Sequence, residues 1–270
     1  MSNPAPPRTA YVSFTAPGGS GLTVAGKLML PARDAGAAPG PAVVICHGSD
    51  GVDGRGEFHA RALATAGMAT LEVDMWAARG TGRGAAARPG SPIDTLPDAF
   101  GALRFLGAQA EIDPSRIGVM GFSWGGVVTL LATTRRRADP LRGDGPGFAA
   151  HAALYPVCWA YTAVPALALA GRTGAPVLIQ TGDADTYDAP DGGERLVAAL
   201  RAQGEPGDIA LIVHPGAGHG FDRDLPAQTI VDPFAHQGRG GEVLMAFHPV
   251  AAERARAAVV DFFSRELVVA

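Results

Sequence analysis

Two kinds of apolar pattern divide the chain. Near the start, "YVSFTA" (11–16) and "LTVAGKLML" (22–30) alternate apolar with polar positions and are joined by "PGGSG". Alternation of period two bounded by a glycine-rich turn predicts an antiparallel hairpin. From residue 42 the alternation gives way to short continuous apolar runs: "AVVICHG" (42–48), "MATLEVDMW" (68–76), "RIGVMGF" (116–122), "FAAHAALYP" (148–156), "APVLIQTGD" (175–183) and "DIALIVHPGAGHGF" (208–221). Runs of this kind are strands buried on both faces of a parallel sheet. Between them lie stretches with helical spacing, at about 56–66, 93–110, 124–137, 191–202 and 249–267. The helix at 93 starts from Ser91-Pro92 and repeats at Leu96, Phe100, Leu103 and Leu106. Strand alternating with helix predicts an α/β fold: a doubly wound, mostly parallel sheet with an antiparallel N-terminal hairpin, formed as a single domain over 1–270. The segment 222–247 shows no clear period and is expected to be a loop or small lid.

Composition adds little to this picture and excludes a few functions. The chain has 270 residues, 47% hydrophobic, enough for a sizeable core. Its net charge is −4 with mixed signs, so no nucleic-acid partner is expected. The basic run Arg135-Arg136-Arg137 is read as the C-terminal end of a helix, where cations suit the dipole. Cys46 and Cys158 sit in apolar runs and are expected to be buried free thiols. With no apolar leader in "MSNPAPPRTAYVSF" and no membrane-length stretch, a cytoplasmic setting is expected. Histidines and cysteines lack metal-ligand spacing, and "HGSDGVDGRG" does not fit dinucleotide binding, so no cofactor or metal is expected.

The candidate chemistry lies at the strand ends. "GFSWG" puts Ser123 where a buried strand turns at once into an apolar helix, with Gly121 and Gly125 on either side. Small residues permit a sharp strained bend that projects the hydroxyl at a helix N-terminus, the arrangement of a nucleophile. A plain N-cap is the simpler alternative. A serine nucleophile needs a base and an orienting acid, which follow in the order acid then histidine in this fold class. "TGDADTYDAP" offers Asp185, favoured, or Asp183. "PGAGHGFD" offers His219 in a glycine-rich loop. His214 is read as a packed strand residue and His47 as a strand-end residue. His59, His151, His236 and His248 have no evident acid partner. Oxyanion donors are expected from the amides of Trp124 and Ser49, with Asp50 as the alternative to Ser49. Trp124 and Trp159 are candidates to line an apolar pocket, or else to pack in the core.

Together "VVICHGSDG", "EIDPSRIGVMGFSWGG", "TGDADTYDAP", "PGAGHGFD" and "FHPVAAERARAAVVDFF" resemble the dienelactone hydrolase family of the α/β-hydrolase superfamily. The resemblance covers about 23–267. It implies nucleophile Ser123, acid Asp185, base His219 and oxyanion amides at Ser49 and Trp124. It also implies arginines that hold a substrate carboxylate, for which Arg79, Arg83 and Arg223 are candidates. The chain departs from the name-giving enzymes, which have a cysteine nucleophile and a glutamate in the first loop; here those positions are Ser123 and Gly48. The reading is a serine carboxylesterase acting on small-molecule esters. The alternatives are lactone, thioester or carbon–carbon bond hydrolysis on the same groups, and a non-catalytic small-molecule-binding member of the fold.

Overall fold

The computed structural model describes residues 7–268 apart from 20, 35, 83, 85, 86 and 205. The apolar runs form strands as their pattern predicts. β1 (Arg8–Thr15) and β2 (Thr23–Leu30) make the antiparallel hairpin. β3 (Gly40–Cys46), β4 (Ala69–Asp74), β5 (Ile112–Phe122), β6 (His151–Leu154), β7 (Val177–Gly182) and β8 (Ile209–His214) complete one eight-stranded sheet, ordered β1-β2-β4-β3-β5-β6-β7-β8. β2 runs antiparallel to β4, and every pair from β4 onward is parallel.

The continuous apolar runs are explained by helices on both faces. Along β3, Ala42, Val44 and Cys46 face one apolar cluster and Val43 and Ile45 face the other. The first cluster takes in α2 (Leu96–Gly107), α3 (Trp124–Leu131) and α6 (Gly192–Ala202); the second takes in α1 (Gly54–Thr65) and α8 (Pro249–Leu267). A strand with no solvent-facing side has no polar positions to alternate with.

The chain passes from β3 to β4 on one side and returns to β5 on the other. The β3 and β5 ends therefore diverge into a crevice, the place where open α/β sheets bind ligands.

One local expectation is corrected. The helix after Ser123 ends at Leu131, because the Thr133 and Thr134 hydroxyls donate to the carbonyls of Leu130 and Leu131 and close its last turn. Arg135-Arg136-Arg137 instead opens a separate helix, α4 (Arg135–Arg142), so the basic run lies at a helix start. Within 222–247, expected as a loop or small lid, β9 (Gln228–Asp232) and β10 (Gly241–Met245) pair as an antiparallel ribbon. The ribbon joins through Phe234 and a short turn, α7 (Ala235–Gly238), in which His236 and Gln237 take left-handed φ of 50° and 60°, while α5 (Ala160–Ala163) follows β6. Cys46 and Cys158 are buried and unpaired. Among the described residues no helix is long and apolar enough to cross a membrane.

Candidate active site

Ser123 stands between β5 and α3 with φ 50° and ψ −110°, a conformation that costs a non-glycine residue of order 1–3 kcal/mol. The neighbouring glycines make the bend possible. A Cβ on Gly121 would lie 2.2 Å from the carbonyl oxygen of Gly125, and one on Gly125 would lie 2.0 Å from that of Cys46. Both are far inside contact distance, so the strand and helix meet here only because those side chains are missing. The Ser123 side chain makes no capping bond to the α3 backbone. Its hydroxyl lies 2.8 Å from His219 Nε2 instead.

His219 Nδ1 lies 2.8 Å from Asp185 Oδ2. A carboxylate only accepts, so Nδ1–H donates to Asp185 and Nε2 is left to accept from the serine hydroxyl. The structure thus brings Ser123, His219 and Asp185 into one hydrogen-bonded line. Asp185 and His219 are almost wholly buried. The second oxygen of Asp185 accepts from the Tyr187 amide at 2.8 Å, which fixes the carboxylate. The Tyr187 ring lies 4.1 Å from the imidazole and the Tyr155 ring meets it edge-on at 4.9 Å. Asp183 does something different: its carboxylate accepts from the Gly216 amide at 2.6 Å and holds the start of the histidine loop.

The crevice wall opposite is the loop after β3. His47 Nε2 accepts from the Met75 amide at 3.0 Å, so its Nδ1–H donates to the Gly48 carbonyl at 2.7 Å. The same carbonyl accepts from Gly51 at 3.0 Å. These two bonds fix the peptide unit whose N–H belongs to Ser49, since amide and carbonyl point opposite ways across a trans peptide. Burial pushes the His47 pKa down to about 4, so the ring is neutral at neutral pH and keeps the tautomer this bond requires. Trp124 opens α3, where the first amides have no partner within the helix.

A cavity of about 210 Å³ lies against Ser123, with Ser49, Trp124, Val127, Trp159 and Phe234 among its walls. A larger hollow of about 380 Å³ beside Arg33 and Glu111 has no serine, cysteine or histidine in its lining. Trp159 therefore faces the cavity, as Trp124 does.

The arginines expected to hold a substrate carboxylate are placed elsewhere. Arg79 is bound to buried Asp98 at 2.6 and 3.1 Å and to the Met75 and Asp94 carbonyls. Arg223 faces Asp50 at 3.2 Å and Asp53 at 3.7 Å. Neither lines the cavity; their guanidinium groups are taken by carboxylates that the sequence does not pair with them. Arg83 lies outside the described residues. Among the described residues the arginine in the cavity wall is Arg88, which sequence reasoning missed, because nothing in the Gly/Ala-rich loop sets it apart from Arg79 and Arg83.

Sequence reasoning also missed a buried network behind the imidazole. His59 has an acid partner after all: its Nε2 lies 3.1 Å from Asp222 Oδ2. The Tyr155 hydroxyl donates to Asp222 Oδ1 at 2.5 Å and receives a bond from Arg55 at 3.3 Å. Arg55 in turn is held by Asp53 at 2.6 Å. Asp222 follows His219 by three residues, so the network ties the histidine loop to α1 and to the end of β6. His214, as expected, packs within the fold, 2.9 Å from Gln180 Oε1.

A strained serine at the turn from β5 to α3, in line with a histidine and an acid beyond later strands, places the molecule in the α/β-hydrolase class. The chain belongs to the dienelactone hydrolase family, whose model matches residues 28–267. It is 29% identical over 203 residues to an uncharacterised protein of Mycobacterium tuberculosis, spanning 72% of this chain and 68% of that one. Its fold is similar to that of a dienelactone hydrolase-like promiscuous phosphotriesterase from metagenomic libraries, with TM-score 0.67 at 23% identity over 97% of this chain and 99% of the other. It is also similar to a thermophilic esterase from Thermogutta terrifontis, with TM-score 0.65 at 17% identity over 94% and 93% of the two chains.

Proposed function

We propose that the protein is a serine hydrolase that cleaves carboxylic esters of small molecules through an acyl-enzyme. The reading is carried by one observation, the pair of 2.8 Å contacts linking Ser123 Oγ, His219 and Asp185. Family membership supports hydrolysis, and the esterase among the similar folds is consistent with an ester substrate.

In the first half-reaction His219 Nε2 takes the hydroxyl proton as Ser123 Oγ attacks the ester carbonyl. Asp185 accepts from the imidazolium and stabilises its charge. The oxyanion is received by the amides of Ser49 and Trp124, where a missing donor would cost about 3 kcal/mol or more of transition-state stabilisation. The imidazolium then protonates the departing alkoxide, and an alcohol leaves. Water, deprotonated by His219, attacks the acyl-enzyme; collapse of the second tetrahedral intermediate returns the proton to Ser123 Oγ and frees the acid. His47 acts through the Ser49 peptide and is a positioning residue.

The test is turnover of p-nitrophenyl acetate. The wild-type protein is expected to release p-nitrophenolate, and Ser123→Ala to lower kcat by at least about 10⁴-fold, because the three groups act as a unit. Equal turnover by the variant would reject Ser123 as nucleophile.

A further inference from the structure

The walls of the cavity beside Ser123 are mostly hydrocarbon: Val127, Val157, Val164, Leu167, Trp159 and Phe234 all contribute. Among the described wall residues the cation is Arg88, and its charge is already answered. Its guanidinium forms a bidentate pair with Asp232, Nη1 to Oδ2 at 2.9 Å and Nη2 to Oδ1 at 3.0 Å. Nη1 also donates to Ser49 Oγ at 2.9 Å. The flat cation lies over two rings, 5.6 Å from the centre of Trp124 and 5.0 Å from that of Phe234. The Arg88 and Asp232 side chains are 8% and 2% exposed, so water does not screen the pair. Asp232 is itself fixed: its Oδ1 accepts from the Phe234 amide at 2.8 Å. Burial works to raise its pKa, but the Arg88 bonds and the Phe234 amide outweigh that and hold it below the usual carboxylate range.

We propose that Asp232 is a specificity-determining residue: by occupying Arg88 it makes the site select uncharged, apolar acyl groups and reject anionic ones. The inference rests on the ester-hydrolase reading and goes beyond it to the substrate class. A substrate carboxylate entering this wall meets an arginine whose charge is already balanced, beside a buried carboxylate of its own sign. Displacing Asp232 would break a desolvated bidentate pair and leave that carboxylate unpaired, and binding alongside it would set two carboxylates against one cation; both are strongly unfavourable. An apolar group meets mostly rings and aliphatic side chains. The volume sets the size: a cavity of about 150 Å³ takes up benzene, so 210 Å³ suits a short aliphatic or single-ring group. Because Asp232 ends β9, the ribbon supplies the discriminating charge as well as the Phe234 wall.

The experiment compares three esters that release the same p-nitrophenolate: p-nitrophenyl pentanoate, the p-nitrophenyl monoester of adipic acid, and the methyl ester of that adipate. The last matches the second in shape without its charge. Wild-type protein is expected to favour the methylated over the anionic adipate by about 100-fold in kcat/KM. Asp232→Asn releases Arg88 and is expected to narrow that ratio by about tenfold or more, a gain that Asp232→Asn with Arg88→Gln loses. Equal wild-type kcat/KM for the two adipates overturns the proposal without any variant. A ratio unmoved by Asp232→Asn, in protein that still cleaves the pentanoate, also overturns it. Failure of the wild-type protein to cleave all three esters would count against the ester-hydrolase reading instead.

Discussion

Ser123 occupies backbone space that suits glycine, and nothing in α3 compensates through a capping bond. The strain is sustained by its surroundings: the Ser123 amide donates to Leu154 at 3.0 Å, and its carbonyl accepts from Val127 at 2.9 Å. What the strain provides is the hydroxyl's position opposite His219. Gly125 is the residue on which this most depends, since a methyl group there would press on the Cys46 and His47 carbonyls at 2.0 and 2.7 Å. Those atoms are rigid backbone at the end of a central strand and cannot yield. Gly125→Ala is therefore expected to cost on the order of 3 kcal/mol in urea-melt stability and to lower esterase kcat by at least about tenfold. An unchanged melt and unchanged kcat would mean that the close approach of helix and strand has been overstated.

At the scale of elements, the site is held by loops cross-linked from behind. The Ala184 amide donates to the Ala217 carbonyl at 3.1 Å, tying the acid loop to the histidine loop. Asp222 ties the histidine loop to His59 on α1 and to Tyr155 after β6. Removing its carboxylate leaves two buried polar side chains short of a partner. Asp222→Ala is expected to lower stability by about 3 kcal/mol and to reduce kcat as the imidazole loses its backing. A loss under about 1 kcal/mol in the same urea melt would show that this network is not a support. The strands themselves were readable because burial on both faces writes itself as continuous apolar runs. Ser123, His219 and Asp185 were readable because each follows such a run in chain order. The ribbon within 222–247 was not: Val231 and Leu244 point to solvent and are 71% and 60% exposed, so its pattern is not that of a core strand. The Arg88–Asp232 and His59–Asp222 pairs join positions 144 and 163 residues apart, a separation that no local period records.

For the molecule as a whole, the order of strands converts distant sequence into adjacency. β3 and β5 are neighbours although β4 intervenes in the chain, and the crevice between their ends receives Ser49 from one and Ser123 from the other. β7 and β8 lie further along the same sheet and send Asp185 and His219 back over Ser123. Two helical layers bury both sheet faces, which keeps these loops in register. The ribbon adds Phe234 and Asp232 at the rim, so the chemistry belongs to the sheet and the choice of substrate to the added segment. Tyr187 touches both: its ring packs on the His219 imidazole, and it lines the cavity with Phe234.

The most direct measurement is labelling of the folded protein with a fluorophosphonate, followed by mass spectrometry of its peptides. The account predicts one adduct, on Ser123, formed rapidly in the wild type and slowed at least about 10³-fold in His219→Ala, because the hydroxyl is nucleophilic only while that imidazole accepts its proton. An adduct on another residue, or labelling of Ser123 at an undiminished rate without His219, would contradict it.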